Sequence, residues 1–165
     1  MLELFGWARG WPKMNIVELG TRAGNSTSAF LAACEVHRRG HVWSFDIRPA
    51  DVPDCYRESE YWTFTQCDAM SEEALKEGPP EIDTLFVDLE HTFEETLTVC
   101  TLWIPRVRPG GVALFHDTEY PQINGEWKSP HESEVGRALD VYCRMKGLEW
   151  VNVPGCFGLG ILRIR

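Results

Sequence analysis

What most limits how this chain can fold is a strand, a glycine turn and a helix in immediate succession between residues 15 and 40. Asn15–Leu19 is a short apolar run that Gly20 ends, and a polar turn with a second glycine, Gly24, follows. Asn25 or Ser26 then offers an N-cap. Phe30, Leu31 and Cys34 recur at helical spacing until Gly40 stops the pattern.

The same alternation continues along the chain. His41–Ile47 reads as a second strand ending near Asp46, Asp51–Tyr61 as a polar loop, and Trp62–Thr65 as a third strand. Ile82–Val87 reads as a buried central strand that ends on Asp88. Thr92 and Glu95 have capping-box spacing, with Phe93, Leu97, Cys100 and Ile104 on one face of the helix they open. Pro109-Gly110-Gly111 turns the chain into Val112–Phe115, and His116-Asp117 follow. Ser129, Pro130 and Glu132 mark another capped helix, which Gly147 terminates. Glu149–Val153 and Gly158–Ile164 close the sequence as two more strands. The pattern predicts an α/β fold, an open, doubly wound, mainly parallel seven-stranded sheet with an antiparallel edge.

A length of 165 residues predicts one domain. Sixteen Lys and Arg against 25 Asp and Glu give a net charge of -9, with the basic residues scattered. That weighs against a nucleic-acid partner, which needs positive charge along a track. The six cysteines include no CxxC pair, so neither a zinc ribbon nor a redox motif is visible, and buried thiols are expected. There is no leader-like N-terminus and no run of about 20 apolar residues, so a soluble, cytoplasmic protein without membrane contact is expected.

In doubly wound sheets ligands sit outside the carboxyl ends of the strands, where the polar clusters of this sequence fall. Gly20 and Gly24 remove side chains where a ligand must approach the backbone, and Ser26 and Thr27 stand at a helix start. Asp46 follows Gly24 by 22 positions, at the end of the next strand, a spacing that suits hydrogen bonds from ribose hydroxyls. Alone, Gly20 could simply make a tight turn and Asp46 could be a turn carboxylate. Together they favour an adenosine ligand. The GxGxxG pattern of dinucleotide sites is absent, which makes a nicotinamide-dependent oxidoreductase the weaker alternative.

Glu18-Leu19-Gly20-Thr21-Arg22-Ala23-Gly24 resembles motif I of the class I S-adenosylmethionine-dependent methyltransferases, whose fold is Rossmann-like. Asp46 matches that family's ribose-binding acid, and Cys67-Asp68-Ala69 resembles the segment beside the adenine ring. Asp88-Leu89-Glu90-His91-Thr92-Phe93, Pro109-Gly110-Gly111 and His116-Asp117 resemble signatures of a subfamily related to macrocin O-methyltransferases and cephalosporin hydroxylase-like proteins. The resemblance implies that Gly20, Thr21, Gly24, Asn25 and Ser26 surround the methionine part of the cofactor. Glu18 would hold backbone amides of the turn or the ligand's ammonium, and Asp46, Asp68 and Ala69 would take the adenosine. Asp88 would either hold the cofactor's amino group or join His116 and Asp117 on a divalent cation such as magnesium. His91 would serve as general base, or as a helix cap.

The function implied is methyl transfer to a small-molecule acceptor, in all expectation a hydroxyl. A cofactor-binding module without turnover stands as the alternative. Only residues 1–14 precede the first strand, without the lid helices frequent in relatives. Gln122–Lys128, with Trp127 as a candidate wall, or a second copy of the chain in a homo-oligomer would have to cover the site.

Overall fold

The computed structural model describes residues 2–11, 13–119 and 129–165. The expected lid segment Gln122–Lys128, and Trp127 within it, lies outside the described residues. The described residues form α1 (Leu2–Arg9), β1 (Asn15–Leu19), α2 (Asn25–His37), β2 (His41–Asp46), α3 (Asp54–Arg57), β3 (Trp62–Gln66) and α4 (Glu72–Glu77). They continue with β4 (Ile82–Val87), α5 (Phe93–Trp103), β5 (Val107–His116), α6 (Glu134–Lys146), β6 (Trp150–Val153) and β7 (Leu159–Arg163).

The seven strands make one sheet in the order β3-β2-β1-β4-β5-β7-β6. Pairings from β3 to β5 are parallel, and β7 runs antiparallel to both β5 and β6. The closing hairpin is thus the expected antiparallel edge. Strand order reverses direction between β1 and β4, the crevice where such sheets bind ligands.

Each face of the sheet carries its own core. On one face Leu4, Ala8, Phe30, Leu31 and Cys34 of α1 and α2 meet Ile16, Val42, Phe86 and Leu114. On the other, Val99, Cys100, Trp103, Leu139 and Tyr142 of α5 and α6 cover Val17, Phe45, Leu85 and Phe115. Trp103 is fully buried against Phe45, and its Nε1 donates to the Ala69 carbonyl at 2.9 Å. A core side chain therefore fixes a loop at the ligand edge. β4 is buried along its whole length, as its apolar run predicts, and its one carboxylate, Asp83, is satisfied by Arg108 and by the Asn15 amide.

Several local expectations differ from the structure. Residues 51–61 are not all loop: Pro53 caps the short helix α3, where its fixed φ suits a helix entry. Residues 72–77 add α4, capped by Ser71, whose side chain accepts from the Ala74 amide. The Pro109-Gly110-Gly111 stretch lies inside an irregular β5, and Gly110, at φ +82°, donates its amide to Ile164. Neither Asn25 nor Ser26 caps α2; Gly24 does so in the left-handed region. Ser129 caps a single 3-10 turn, and Ser133 caps α6. The N-terminal segment forms α1, which packs on α2 and not over the ligand edge; Trp11 beyond it donates to Thr84 on β4. No helix among the described residues is long and apolar enough to cross a membrane.

Candidate active site

Sheet register sets out the site. Phe45, Leu19, Val87 and Phe115 stand in one row across β2, β1, β4 and β5. The next residue of each strand is polar or glycine, so Asp46, Gly20, Asp88 and His116 form a second row along the carboxyl edge. With strands about 4.8 Å apart, three steps carry this row across about 14 Å.

Gly20 lets two backbones meet. Its amide donates to the Phe45 carbonyl at 2.8 Å, and the Asp88 amide donates to the Leu19 carbonyl at 2.8 Å. At φ +91° a Cβ on Gly20 would collide with the Asp88 carbonyl oxygen. Gly24, at φ +71°, is equally constrained, because a Cβ there would run into Val52.

Glu18 works beneath this turn. It is fully buried and accepts from Ser26 Oγ at 2.6 Å, Thr27 Oγ1 at 2.8 Å and Ser44 Oγ at 2.6 Å; Trp62 Nε1 donates in turn to Ser44 Oγ. Burial pushes its pKa up to about 7, against the pull of the three hydroxyls. The backbone amides expected to meet Glu18 go to Asp46 instead. Asp46 Oδ2 accepts from the Thr21 and Arg22 amides at 2.9 and 3.0 Å, and Oδ1 from the Arg48 amide at 2.9 Å. Burial alone would raise the Asp46 pKa; the three amides outweigh it and hold the carboxyl below its ordinary value.

A cleft of about 300 Å³ opens over the row, lined by Gly20, Asp46, Asp68, Ala69, Met70 and Asp88 among others. That volume is at the lower end of small-ligand sites. Asp68 is fixed by accepting the Met70 amide at 2.8 Å, and Ala69 by its carbonyl bond to Trp103. Thr21 Oγ1 is buried and has no hydrogen-bond partner among the described residues.

Beyond Asp88 the row runs into a cluster of two carboxylates and two imidazoles. His91 Nε2 lies 3.1 Å from both Asp88 Oδ1 and Asp117 Oδ2. His116 Nδ1 lies 3.6 Å from Asp88 Oδ1 and 2.9 Å from Asp117 Oδ1. The last pair is close but poorly aligned, so neither buried atom makes a hydrogen bond to the described residues. His91 and Asp117 both sit at positive φ, +63° and +60°, a conformation that costs non-glycine residues roughly 1 kcal/mol or more. Asp117 and then Asp88 push the His116 pKa up to about 10 against its burial. Burial opposes ionisation of Asp88, but His116 and His91 prevail and hold it far below the usual carboxylate range.

The sequence-derived residues thus divide. Gly20, Asp46, Asp68, Ala69 and Asp88 line the cleft, whereas Glu18, Thr21, Gly24, Asn25 and Ser26 build the turn behind it. Asp88, His91, His116 and Asp117 converge as one group, with donor atoms all within 4.8 Å of one another. The Thr92 and Glu95 box is half formed, since Glu95 Oε2 accepts the Glu90 amide at 2.8 Å and the Glu95 side chain joins the cleft wall. Arg22, Leu89 and Glu90, which stand inside the recognised motifs without an assigned role, also line the cleft, as do Ile47, Arg48 and Met70, which had no assigned role either. Each lies one or two residues from a recognised position, so adjacency to strand ends was the available signal.

The methyltransferase-domain family model matches residues 17–118, more than half of the chain. No curated protein matches it in sequence. Among solved structures, the SAH-bound methyltransferase PaMTH1 of Podospora anserina has a TM-score of 0.67 and 14% identity, covering 99% of this chain and 87% of that one. CalS11, a TDP-rhamnose 3'-O-methyltransferase of calicheamicin biosynthesis, gives 0.65 and 16% over 98% of this chain and 75% of that one. MycE, a methyltransferase of the mycinamycin pathway in complex with Mg and SAH, gives 0.61 and 17% over 90% of this chain and 44% of its own. These likenesses are to the fold. With the matched segment spanning the Gly20 turn, the Asp46 strand end and the Asp88 to Asp117 cluster, the chain belongs to the methyltransferase-domain family.

Proposed function

We propose that this protein transfers a methyl group from S-adenosylmethionine to a hydroxyl of a small-molecule acceptor, with a divalent cation bound beside the acceptor. The observation that carries the reading is the single row in which Asp46, Gly20 and Asp88 floor a cleft that ends at the Asp88, His91, His116 and Asp117 cluster. CalS11 is a sugar O-methyltransferase and MycE was solved with Mg and SAH, which supports both the hydroxyl and the cation. Within the family, the Asp88-to-His91 and His116-Asp117 signatures favour the macrocin O-methyltransferase side.

The chain's own groups fit such a cofactor. Asp46 Oδ1 receives one amide and keeps acceptor capacity for a ribose hydroxyl. The wall from Asp68 to Met70 suits the adenine. When bound, the cofactor would supply a sulfonium methyl: the acceptor oxygen would gain the methyl as the carbon–sulfur bond broke, S-adenosylhomocysteine would leave, and the hydroxyl proton would pass to solvent water. Asp88, His116 and Asp117 would hold the cation, whose chemistry is to acidify and orient a coordinated hydroxyl. The rigid row keeps acceptor and cofactor in register.

Calorimetry of the purified chain with S-adenosylmethionine and S-adenosylhomocysteine tests the reading, and binding of both is expected. Binding by neither overturns it. Mass-spectrometric detection of methylated products across a library of sugar and phenol hydroxyls tests the transfer itself; cofactor binding without any product would identify a binding module.

A further inference from the structure

We infer that Asp88, His91, His116 and Asp117 together form a four-donor centre for a first-row transition cation, of the manganese, iron, cobalt or zinc class, and that magnesium is a poor occupant. This deepens the cation assistance proposed above and rests on that reading for its place in the reaction.

The donor chemistry points this way. Magnesium takes oxygen ligands and keeps much of its water, whereas imidazole nitrogen suits the later divalent metals. Half of the donors here are imidazole nitrogens. Spacing agrees. Two donors each about 2.1 Å from one cation, at tetrahedral or cis-octahedral angles, stand about 3.0 to 3.4 Å apart. The imidazole nitrogens stand 3.1 and 3.6 Å from Asp88 Oδ1, 3.1 Å from Asp117 Oδ2 and 2.9 Å from Asp117 Oδ1, and one donor atom from each residue falls within 4.8 Å of the others.

Two further observations separate this cluster from a mere ion-pair network. His116 Nδ1 and Asp117 Oδ1 are buried without a hydrogen bond to the described residues, and Asp117 is only 7% exposed. The two atoms face each other at 2.9 Å without an aligned hydrogen bond, and buried polar groups held in that way are costly unless a ligand completes them. His91 and Asp117 also spend backbone energy to face the centre. Apolar Val87, Val99, Phe115 and Val135 back the two imidazoles, which limits competition from water. As a ligand, His91 is no longer the base that receives the acceptor's proton, in contrast to its expected role.

The test uses the metal-stripped full chain titrated with Co2+, followed by visible d–d absorption, and with Mn2+, followed by electron paramagnetic resonance. One equivalent should bind, and about a hundredfold excess of Mg2+ should not displace it. His91→Ala and His116→Ala should each weaken Co2+ binding by about tenfold or more, with circular dichroism confirming that both variants fold. His116→Asp exchanges a nitrogen for a hard oxygen and should shift the preference toward Mg2+. Displacement of Co2+ by Mg2+ at comparable concentration, or wild-type Co2+ affinity in both alanine variants, overturns the inference. S-adenosylhomocysteine titrated into the same samples separates the two readings. Cofactor binding without Co2+ binding sinks the metal centre alone, and Co2+ binding without cofactor binding sinks the methyltransferase reading alone.

Discussion

Removing the Glu18 carboxylate is the sharpest probe of how the cofactor turn is held. In Glu18→Ala the hydroxyls of Ser26, Thr27 and Ser44 lose their common acceptor inside the protein. An unsatisfied buried donor costs about 1–3 kcal/mol. Ser26 and Thr27 lie in the first turn of α2 and can rotate toward backbone carbonyls, which reduces their share. Ser44 is pinned by the Trp62 indole and cannot. A loss of about 3–5 kcal/mol follows, a large part of the 5–15 kcal/mol typical of a domain. Glu18→Gln keeps the shape and most of the hydrogen bonds, so it should cost only about 1 kcal/mol at pH 5.

The pH dependence separates this account from simple loss of packing. The Glu18 pKa is raised from 4.5 to about 7 in the folded chain, so the folded state holds a proton that the unfolded state releases first. Its contribution is complete below pH 4.5 and is lost as pH rises through about 7, a change on the order of 3 kcal/mol. Glutamine cannot titrate. The wild type should therefore be more stable than Glu18→Gln at pH 5, and the order should narrow or reverse by pH 8. Urea unfolding followed by tryptophan fluorescence measures both, and subtracting one protein from the other cancels the remaining carboxylates. A difference between the two proteins that stays constant from pH 5 to pH 8 would refute the reasoning.

Three other substitutions test separate links. Asp46→Ala frees the Thr21, Arg22 and Arg48 amides and removes the ribose acceptor, so S-adenosylhomocysteine affinity should fall about tenfold or more, the equivalent of one charge-assisted hydrogen bond; an unchanged calorimetric dissociation constant counts against the assignment. Gly20→Ala must place a Cβ against the Asp88 carbonyl at φ +91°, and should lower stability by about 2 kcal/mol or more while abolishing cofactor binding; a variant with wild-type melting temperature and affinity would contradict the close approach. Trp103→Ala empties the core beneath the cleft and should cost about 3–5 kcal/mol. It also releases the Ala69 carbonyl, so any variant rescued by low temperature should show weakened cofactor affinity in calorimetry.

The elements that carry a strong period or a glycine stop were legible in the sequence. All seven strands were anticipated, most of them as short apolar runs between breakers, although β5 starts earlier than its apolar run and takes in Pro109-Gly110-Gly111; α5 and α6 were legible because their apolar faces repeat. What could not be read depended on contacts distant in sequence. Glu18 was expected to face amides or a ligand, but only the fold shows that Ser26, Thr27 and Ser44 surround it while Asp46 takes the amides. The α2 cap failed for the same reason, since a serine committed to Glu18 has no need to cap. Helices α3 and α4 span four and six residues, too short for periodicity to reveal, and α3 opens after a proline that reads as a breaker. His91 was expected near Asp88, but only the fold shows Asp117 at the same distance on its other side.

Asp88 is where the two halves of the site meet. It is the one residue that both lines the cleft and belongs to the four-donor cluster. Its backbone is fixed from the other side, because its amide holds Leu19 and its carbonyl abuts Gly20. A shift of Asp88 toward a cation would therefore be felt at the Gly20 turn through rigid, adjacent strand ends. Linkage requires that any such coupling be reciprocal: a cation that tightens cofactor binding must itself be bound more tightly by the same factor when the cofactor is present. The four-residue row makes this coupling short-range, about one strand spacing from Gly20 to Asp88 and one more to His116. Asp46, two spacings from Asp88, would in the proposed binding mode hold the cofactor without touching the cluster. Substitution there should weaken the cofactor and leave the cation's intrinsic affinity unchanged, whereas substitution at Asp88 should damage both and erase their coupling.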